Sequence, residues 1–114
     1  LILCGRNNVQ NDYLTIKEAD KQDIWLHTQK IPGSHVIIRG VGEEIPDVTL
    51  EEAAAIAAYN SKGRGSSKVP VDYTRVRNVR KPNGAKPGMV VYDTYWTILA
   101  EPNEELVRSL EEKS

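Results

Sequence analysis

The sequence that decides the fold is DIWLHT at residues 23–28, which the turn-forming stretch IPGS at residues 31–34 separates from HVIIR at residues 35–39. Both flanking stretches are rich in residues that favour strands, and a Pro-Gly pair between them is typical of a turn. This order predicts a β-hairpin. Because side chains alternate along a strand, Trp25 and His27 are expected on one face, and Ile24 and Leu26 on the other.

The rest of the chain supplies further elements around this hairpin. Strands are predicted at residues 1–4, 69–80, 89–92 and 95–100, with a bulge or twist near residues 74–76. Helices are predicted at residues 15–21, 50–59 and 104–113. The first two follow capping-box patterns that begin at Thr15 and Thr49. Residues 5–12 are expected to form a loop. Trp25 and Trp96 are expected in the core. These elements predict one α+β domain, a mostly antiparallel β-sheet with two or three helices packed on it.

The composition is that of an ordinary globular domain. The chain has 114 residues, 39% of them hydrophobic and 27% charged, so residues 1–114 suit a single domain. No apolar run approaches the length of a membrane span, and the first residues lack the pattern of a secretory signal. The missing initiator Met favours a piece of a longer multidomain protein. A lone cysteine, Cys4, favours a reducing compartment, and we expect the protein in the cytoplasm.

Positive charge is concentrated in one part of the chain. Residues 61–92 carry eight basic side chains and one acidic side chain, Asp72, whereas residues 43–60 carry five acids and no bases. A local excess of this size produces a positive surface field although the net charge of the chain is −1. The segment is either a polyanion-binding surface or a solvated face that the neighbouring acidic helices balance.

Enzyme and metal chemistry find little support in the sequence. His27 and His35 flank one turn and would need a carboxylate such as Asp23 or Asp72 to form a metal site, and no zinc-ligand spacing is present. The stretch GRGSSK at residues 63–68 lacks the order of a nucleotide-binding phosphate loop. No nucleophile–base arrangement is evident. We therefore expect no enzymatic activity, no cofactor and no metal.

Nucleic-acid binding is the remaining class. Lys and Arg side chains hold phosphates, Asn, Gln and Arg form hydrogen bonds with base edges and 2′-hydroxyls, and exposed aromatic rings stack on unpaired bases. The chain combines its basic segment with a cluster of Asn and Gln at residues 7–11. The same residues also suit turns and packing, so composition alone leaves the choice open.

Five motifs go beyond composition. GRNNVQND at residues 5–12, DIWLH at 23–27, PGSHV at 32–36, KVPVDY at 68–73 and KP followed by GAKPG at 81–88 occur in this order. Together, over residues 5–102, they resemble the NFACT-R domain, the RNA-binding module of the NFACT proteins, whose bacterial members are also named fibronectin-binding protein A.

The resemblance implies a cytosolic factor of ribosome-associated quality control. Such a factor binds tRNA and rRNA on a large ribosomal subunit obstructed by a stalled chain, and it supports template-free addition of a C-terminal alanine tail. Its other domains are expected partners of this one, and no membrane is involved. The alternatives are a protein-interaction module that docks onto a ribosomal protein or onto the NFACT-N domain of the same protein, and an adhesin that binds fibronectin.

The candidate RNA contacts come from the amide cluster, the basic segment and the motifs. They are Arg6, Asn7, Asn8, Gln10, Asn11, His35, Lys68, Tyr73, Arg75, Arg77, Arg80, Lys81 and Lys86. No catalytic or metal-binding residue is predicted.

Overall fold

A five-stranded antiparallel sheet forms the centre of the molecule in a computed structural model, which describes residues 1–40 and 42–113. Its strand order is β1-β3-β2-β4-β7, and β5 pairs with β6 in a separate two-stranded ribbon. The strands are β1 (Ile2–Cys4), β2 (Ile24–Thr28), β3 (Val36–Ile38), β4 (Val69–Arg75), β5 (Val79–Arg80), β6 (Val91–Tyr92) and β7 (Trp96–Ala100). The helices are α1 (Asn8–Asp12), α2 (Asp47–Tyr59) and α3 (Glu104–Lys113), with a π-helical segment at Tyr13–Glu18 and a 3-10 turn at Val76–Asn78. The α+β prediction is confirmed.

The predicted hairpin is present with the predicted faces. β2 pairs with β3 so that Ile24 lies opposite Ile38 and Leu26 lies opposite Val36. Ile24 and Leu26 belong to one hydrophobic cluster and Trp25 to another. Because β2 is the central strand, both of its faces are covered, and four of its five residues are buried.

Helix α2 covers the first face of the sheet. Ala53, Ala54, Ala57 and Ala58 are fully buried in the cluster that contains Ile24 and Leu26. Small side chains let the helix lie close to the strands. The helix begins at Asp47, with Pro46 before it and no side-chain cap, so the capping box expected at Thr49 is not its start.

The second face is covered by the N-terminal segment and the residues after β4. Leu14, Val76 and Val79 pack on Trp25 and Ile37 there. Residues 8–12, expected to be loop, form α1, because the Asn7 side chain accepts a hydrogen bond from Gln10 N at 2.9 Å and caps the helix. The 3-10 turn at Val76–Asn78 ends β4 where a distortion was predicted. In the described residues no helix has the length and apolarity to cross a membrane.

We expect Leu26→Ala to lower the free energy of unfolding by about 2–5 kcal/mol, because it removes a fully buried side chain from between α2 and the sheet. The matched control is Leu99→Ala on β7, where Leu99 is 62% exposed and the change is expected to stay within about 0.5 kcal/mol. Urea unfolding measures both. Equal effects of the two substitutions would contradict the assigned core.

Candidate nucleic-acid interface

A buried histidine joins segments that are far apart in the sequence. His35 is 1% exposed. Its backbone N–H donates to Asn11 Oδ1 at 3.1 Å, its Nε2 donates to the Gly88 carbonyl at 3.2 Å, and its Nδ1 lies 2.8 Å from Thr15 Oγ1. A neutral imidazole has one donor and one acceptor nitrogen, so the Thr15 hydroxyl donates to Nδ1. His35 thereby ties α1, the π-helical segment and the turn at residues 81–89 to the start of β3.

A second set of contacts, centred on Asp12 and Lys81, fixes the turn at residues 81–89. Asp12 Oδ1 accepts a hydrogen bond from Gly88 N at 2.8 Å, and Asp12 Oδ2 lies 3.0 Å from Lys81 Nζ. Lys81 Nζ also donates to the carbonyls of Lys86 at 2.6 Å and Met89 at 3.2 Å. The Lys81 ammonium is therefore engaged within the protein, where it closes the turn against α1.

Two glycines permit this close packing. A Cβ on Gly88 would lie 2.8 Å from Asn8 Oδ1, and the residue has φ +85°. A Cβ on Gly5 would lie 2.0 Å from Asn11 Oδ1, the atom that accepts from His35 N. A larger residue at position 5 would displace the Asn11 side chain from His35, and one at position 88 would meet the Asn8 side chain and force an unfavourable positive φ.

A buried carboxylate organises the adjacent part of the second face. Asp72 is 1% exposed and lies opposite His27 across β2 and β4. It accepts hydrogen bonds from Tyr92 OH at 2.6 Å, Thr97 Oγ1 at 2.7 Å and Gln29 Nε2 at 3.1 Å. Burial, and then the hydrogen bond to Asp72, raise the pKa of Tyr92, so the phenol stays protonated and donates. Three donors satisfy the buried carboxylate.

Both histidines are neutral at pH 7. Burial, and then the neighbouring His27, lower the pKa of His35 to about 4. Burial lowers the pKa of His27 against smaller opposing effects of backbone hydrogen bonds and of Asp72. The His27 ring stacks on Trp25 at 5.9 Å and lies 5.4 Å from the His35 ring. Over the residues that the structure describes, no three His, Cys, Asp or Glu side chains are placed to hold a metal ion.

Exposed basic side chains surround this rigid core at the end of the sheet where β4 begins. Arg6, Lys62 and Arg64 line a cleft of about 420 Å³ together with Ser34 and Ser61. The Arg64 guanidinium lies over the Tyr59 ring at 4.0 Å, and its Nε donates to the Tyr59 carbonyl at 2.6 Å. These contacts fix Arg64 at the rim of the cleft.

Amide side chains lie beside the cleft. Arg6, Asn7, Asn8 and Gln10 are exposed, and Gln10 Oε1 accepts a hydrogen bond from Arg6 N at 2.9 Å. Asn8 is within contact distance of Gly88, which brings the exposed Lys86 on the same turn close to α1. We call this surface the basic corner; it comprises Arg6, Asn7, Asn8, Gln10, Lys62, Arg64 and Lys86.

The other predicted cations lie elsewhere. Arg75 is the last residue of β4, whose seven residues span about 20 Å, and Arg77 lies in the 3-10 turn that follows. Arg80 lies in β5, directly before Lys81. Arg75 donates to the carbonyls of Gln22 and Glu43, both at 2.7 Å, and Arg80 lies 3.9 Å from Asp93. Lys68 lines a different cleft, beside Glu51 and Glu101. The basic side chains of residues 61–92 therefore line more than one cleft.

Burial separates the remaining candidates. Asn11 and His35 are 3% and 1% exposed, and their polar atoms bind other parts of the protein. Such side chains have no surface for RNA in this conformation, so we assign them to positioning the basic corner.

The aromatic residues differ in exposure. Tyr73 is half-buried and stacks with Trp96 at 6.0 Å. The expectation that both tryptophans lie in the core is confirmed for Trp25 and wrong for Trp96, which is 56% exposed on the edge strand β7.

We expect acid to destabilise the fold through His35. Its pKa in the folded chain lies below the ordinary value of 6.5, so the unfolded chain takes up the proton first as the pH falls. The stabilisation is complete above pH 6.5 and is lost as the pH falls through 4, by up to about 1.4 kcal/mol per pH unit from this residue.

Urea unfolding at several pH values between 6.5 and 5 measures this slope. His35→Gln should be less stable at pH 6.5 and should show a shallower slope than the unsubstituted chain. The double variant that also carries His27→Gln should be nearly flat in this range, because the sequence contains only two histidines. An unchanged slope in both variants would exclude the proposed role.

Comparison with known proteins agrees with the arrangement of the motifs. A model of the family described as NFACT protein RNA binding domain matches residues 1–93. The Rqc2 homolog RqcH of Bacillus subtilis is 56% identical over 109 residues, which cover 96% of this chain and 19% of that protein. The Rqc2 homolog RqcH of Streptococcus pneumoniae is 43% identical over 110 residues, which cover 96% of this chain and 20% of that protein.

A solved structure shares the fold. The C-terminal part of the fibronectin/fibrinogen-binding protein from Streptococcus suis superposes with a TM-score of 0.91 at 44% identity, covering 95% of this chain and 44% of that one. The present chain spans about a fifth of the length of the curated relatives above. The resemblance drawn from the five motifs is confirmed: the chain belongs to the family of NFACT protein RNA-binding domains.

Proposed function

We propose that this domain binds RNA through the basic corner, as a module of a cytoplasmic ribosome-associated quality-control factor. In that role it contacts tRNA and rRNA on an obstructed large ribosomal subunit and supports template-free alanine tailing at the C-terminus of the stalled chain. The domain itself carries out no catalysis in this proposal. Membership of the RNA-binding family and the similarity to RqcH support it.

The observation that carries the proposal is the composition of the basic corner. Three cations, Arg6, Lys62 and Arg64, line one cleft, and exposed amide side chains follow directly on α1. Cations of this kind bind phosphates, whereas Asn and Gln form hydrogen bonds with 2′-hydroxyls and base edges. The corner therefore offers both chemistries of RNA recognition side by side.

The network around His35 and Asp12 holds α1 and the turn at residues 81–89 in place before RNA arrives. In α1, Asn11 accepts a hydrogen bond from the buried His35, and Asp12 forms an ion pair with Lys81. A surface that is already ordered loses less conformational entropy on binding than a mobile one. We therefore assign to His35, Asn11 and Lys81 the role of positioning the basic corner. The residues assigned to RNA contact are those of the basic corner itself: Arg6, Asn7, Asn8, Gln10 and Lys86 from the sequence prediction, and Lys62 and Arg64 from the structure.

We expect binding to tRNA to weaken steeply with salt. If about four phosphates are engaged, log K should fall against log salt with a slope of about −3. Arg6→Ala and Lys62→Ala should each lower affinity and make the slope shallower by about 1, because each removes one phosphate contact. Fluorescence anisotropy with labelled tRNA over a series of salt concentrations measures both quantities.

The matched control is Arg108→Ala on α3. Arg108 is an exposed arginine that forms an ion pair with Glu104 within α3 and lines no part of the cleft at the basic corner, so its removal should leave affinity and slope unchanged. Absence of tRNA binding at low salt would overturn the proposed function. Binding that Arg6→Ala and Lys62→Ala leave intact would remove the basic corner as its location.

The role in tailing needs the full-length factor. Arg6→Ala combined with Lys62→Ala in that factor should reduce crosslinking of this domain to RNA on stalled large subunits and should reduce alanine tailing to a similar degree. The full-length factor with Arg108→Ala serves as the reference. Tailing that persists undiminished after the crosslinks are lost would separate RNA binding from tailing.

Protein docking is the second candidate function. The related Streptococcus suis protein is described as fibronectin/fibrinogen-binding. Retention of this chain on immobilised fibronectin or on a ribosomal protein, unchanged by nuclease and by high salt, would favour docking over RNA binding. Retention that nuclease abolishes would favour RNA.

A further inference from the structure

A second cleft lies at the opposite end of β4 from the basic corner. It measures about 560 Å³ and is lined by Tyr73, Arg75, Arg77, Asn78, Thr94 and Trp96, among others. We call it the aromatic cleft. Its volume lies within the range of small-molecule sites, and its apolar lining includes the exposed Trp96 ring besides Ile45, Leu50 and Tyr73.

Trp96 is unusually accessible for its size. It is 56% exposed, although the other tryptophan of the chain, Trp25, is 1% exposed. One side of the Trp96 ring is supported by the half-buried Tyr73 ring on the neighbouring strand, at 6.0 Å with an angle of 27° between the planes. A supported indole beside an open cleft can accept a second flat ring by stacking.

The residues before Trp96 are held in an unfavourable backbone conformation. Thr94 has φ +50°, which is rare for a β-branched residue. Its carbonyl accepts hydrogen bonds from Thr74 Oγ1 at 2.7 Å and from Asn78 Nδ2 at 3.5 Å. Such strain persists only where neighbouring contacts enforce it, and it is frequent at binding sites. Here it fixes the direction in which β7 leaves the 93–95 turn and thus the position of Trp96.

The charge of the aromatic cleft argues for a neutral ring as its occupant. Among the described lining residues, Arg75 and Arg77 are balanced by Glu43 and Asp47. Arg75 is further engaged with the carbonyls of Gln22 and Glu43. A cleft without excess positive charge attracts phosphate weakly, whereas a nucleobase offers a flat ring to Trp96 and donors and acceptors to the polar rim.

We infer that the aromatic cleft stacks one unpaired base of a bound RNA on Trp96. The inference rests on the proposed function, since it adds a second contact to an RNA that the basic corner holds. The basic corner supplies phosphate contacts, and the aromatic cleft, lined by the last residues of β4, recognises an unstacked base.

The test uses this 114-residue chain and two RNA hairpins that differ in one feature. One hairpin carries a short 3′ tail of unpaired adenosines, and the other is blunt. The unsubstituted chain should bind the tailed hairpin more tightly, and binding should quench its tryptophan fluorescence. Trp96→Ala should lose roughly tenfold in affinity for the tailed hairpin, abolish the preference and leave the salt slope unchanged.

Two further variants make the result specific. Trp96→Phe keeps a stacking ring and should retain part of the preference, whereas Leu99→Ala, an exposed apolar position on the same strand, should behave as the unsubstituted chain does. A Trp96→Ala chain that binds both hairpins as the unsubstituted chain does, or RNA saturation without quenching, would overturn the inference. In that case an intact effect of Arg6→Ala would leave the proposed function standing, and failure of the chain to bind any RNA would overturn both.

Discussion

The hydrogen bonds of one buried imidazole set the geometry of the surface that we assign to RNA. His35 binds Asn11, Thr15 and Gly88, three residues that belong to separate parts of the chain. The bonds to Asn11 and Thr15 are buried and the bond to Gly88 is partly buried. An unpaired buried donor or acceptor costs about 1–3 kcal/mol. The three segments are therefore held together, and the exposed Asn8 of α1 lies against Gly88 of the turn that carries Lys86.

The elements predicted best from the sequence are those in which the pattern of hydrophobic side chains directly indicates which face is buried. The faces of β2 follow from alternation alone, because a central strand buries Ile24 and Trp25 on opposite sides. Trp96 was predicted in the core because large aromatic residues usually are, but its strand forms the edge of the sheet. Strand order depends on contacts between distant residues, and the local sequence carries no signal for it. Helix α1 was missed for a similar reason: its Asn residues favour turns, and tertiary contacts of Asn11 and a cap by Asn7 stabilise the helix instead.

The charge pattern shows why a basic segment differs from a basic surface. Residues 61–92 are adjacent in sequence, yet β4, about 20 Å long, runs through the segment, with Lys62 and Arg64 before it and Arg75 and Arg77 at its far end. Some of its cations are also engaged within the fold, as Lys81 is with Asp12 and Arg75 is with two carbonyls. Arg6, which lies outside the segment, joins Lys62 and Arg64 in one cleft because Gly5 donates a hydrogen bond to the His35 carbonyl at 3.0 Å. The motifs mark residues that bring distant parts of the chain together, such as Asn11, His35 and Gly88, which the charge pattern does not do.

The two clefts at the ends of β4 have complementary chemistry. Phosphate contacts at the basic corner supply affinity without regard to base identity, whereas stacking at the aromatic cleft requires a base that is free of its neighbours. Because the cleft of the basic corner lies at the end of the sheet where β4 begins and the aromatic cleft is lined by the last residues of β4, the sheet fixes the distance between a backbone segment and an unpaired base. A regular duplex, in which every base is stacked, can contact only the basic corner. A folded RNA with an exposed base at the right distance satisfies both, so selectivity for such an RNA arises from the spacing of two individually weak contacts rather than from hydrogen bonds to a particular sequence.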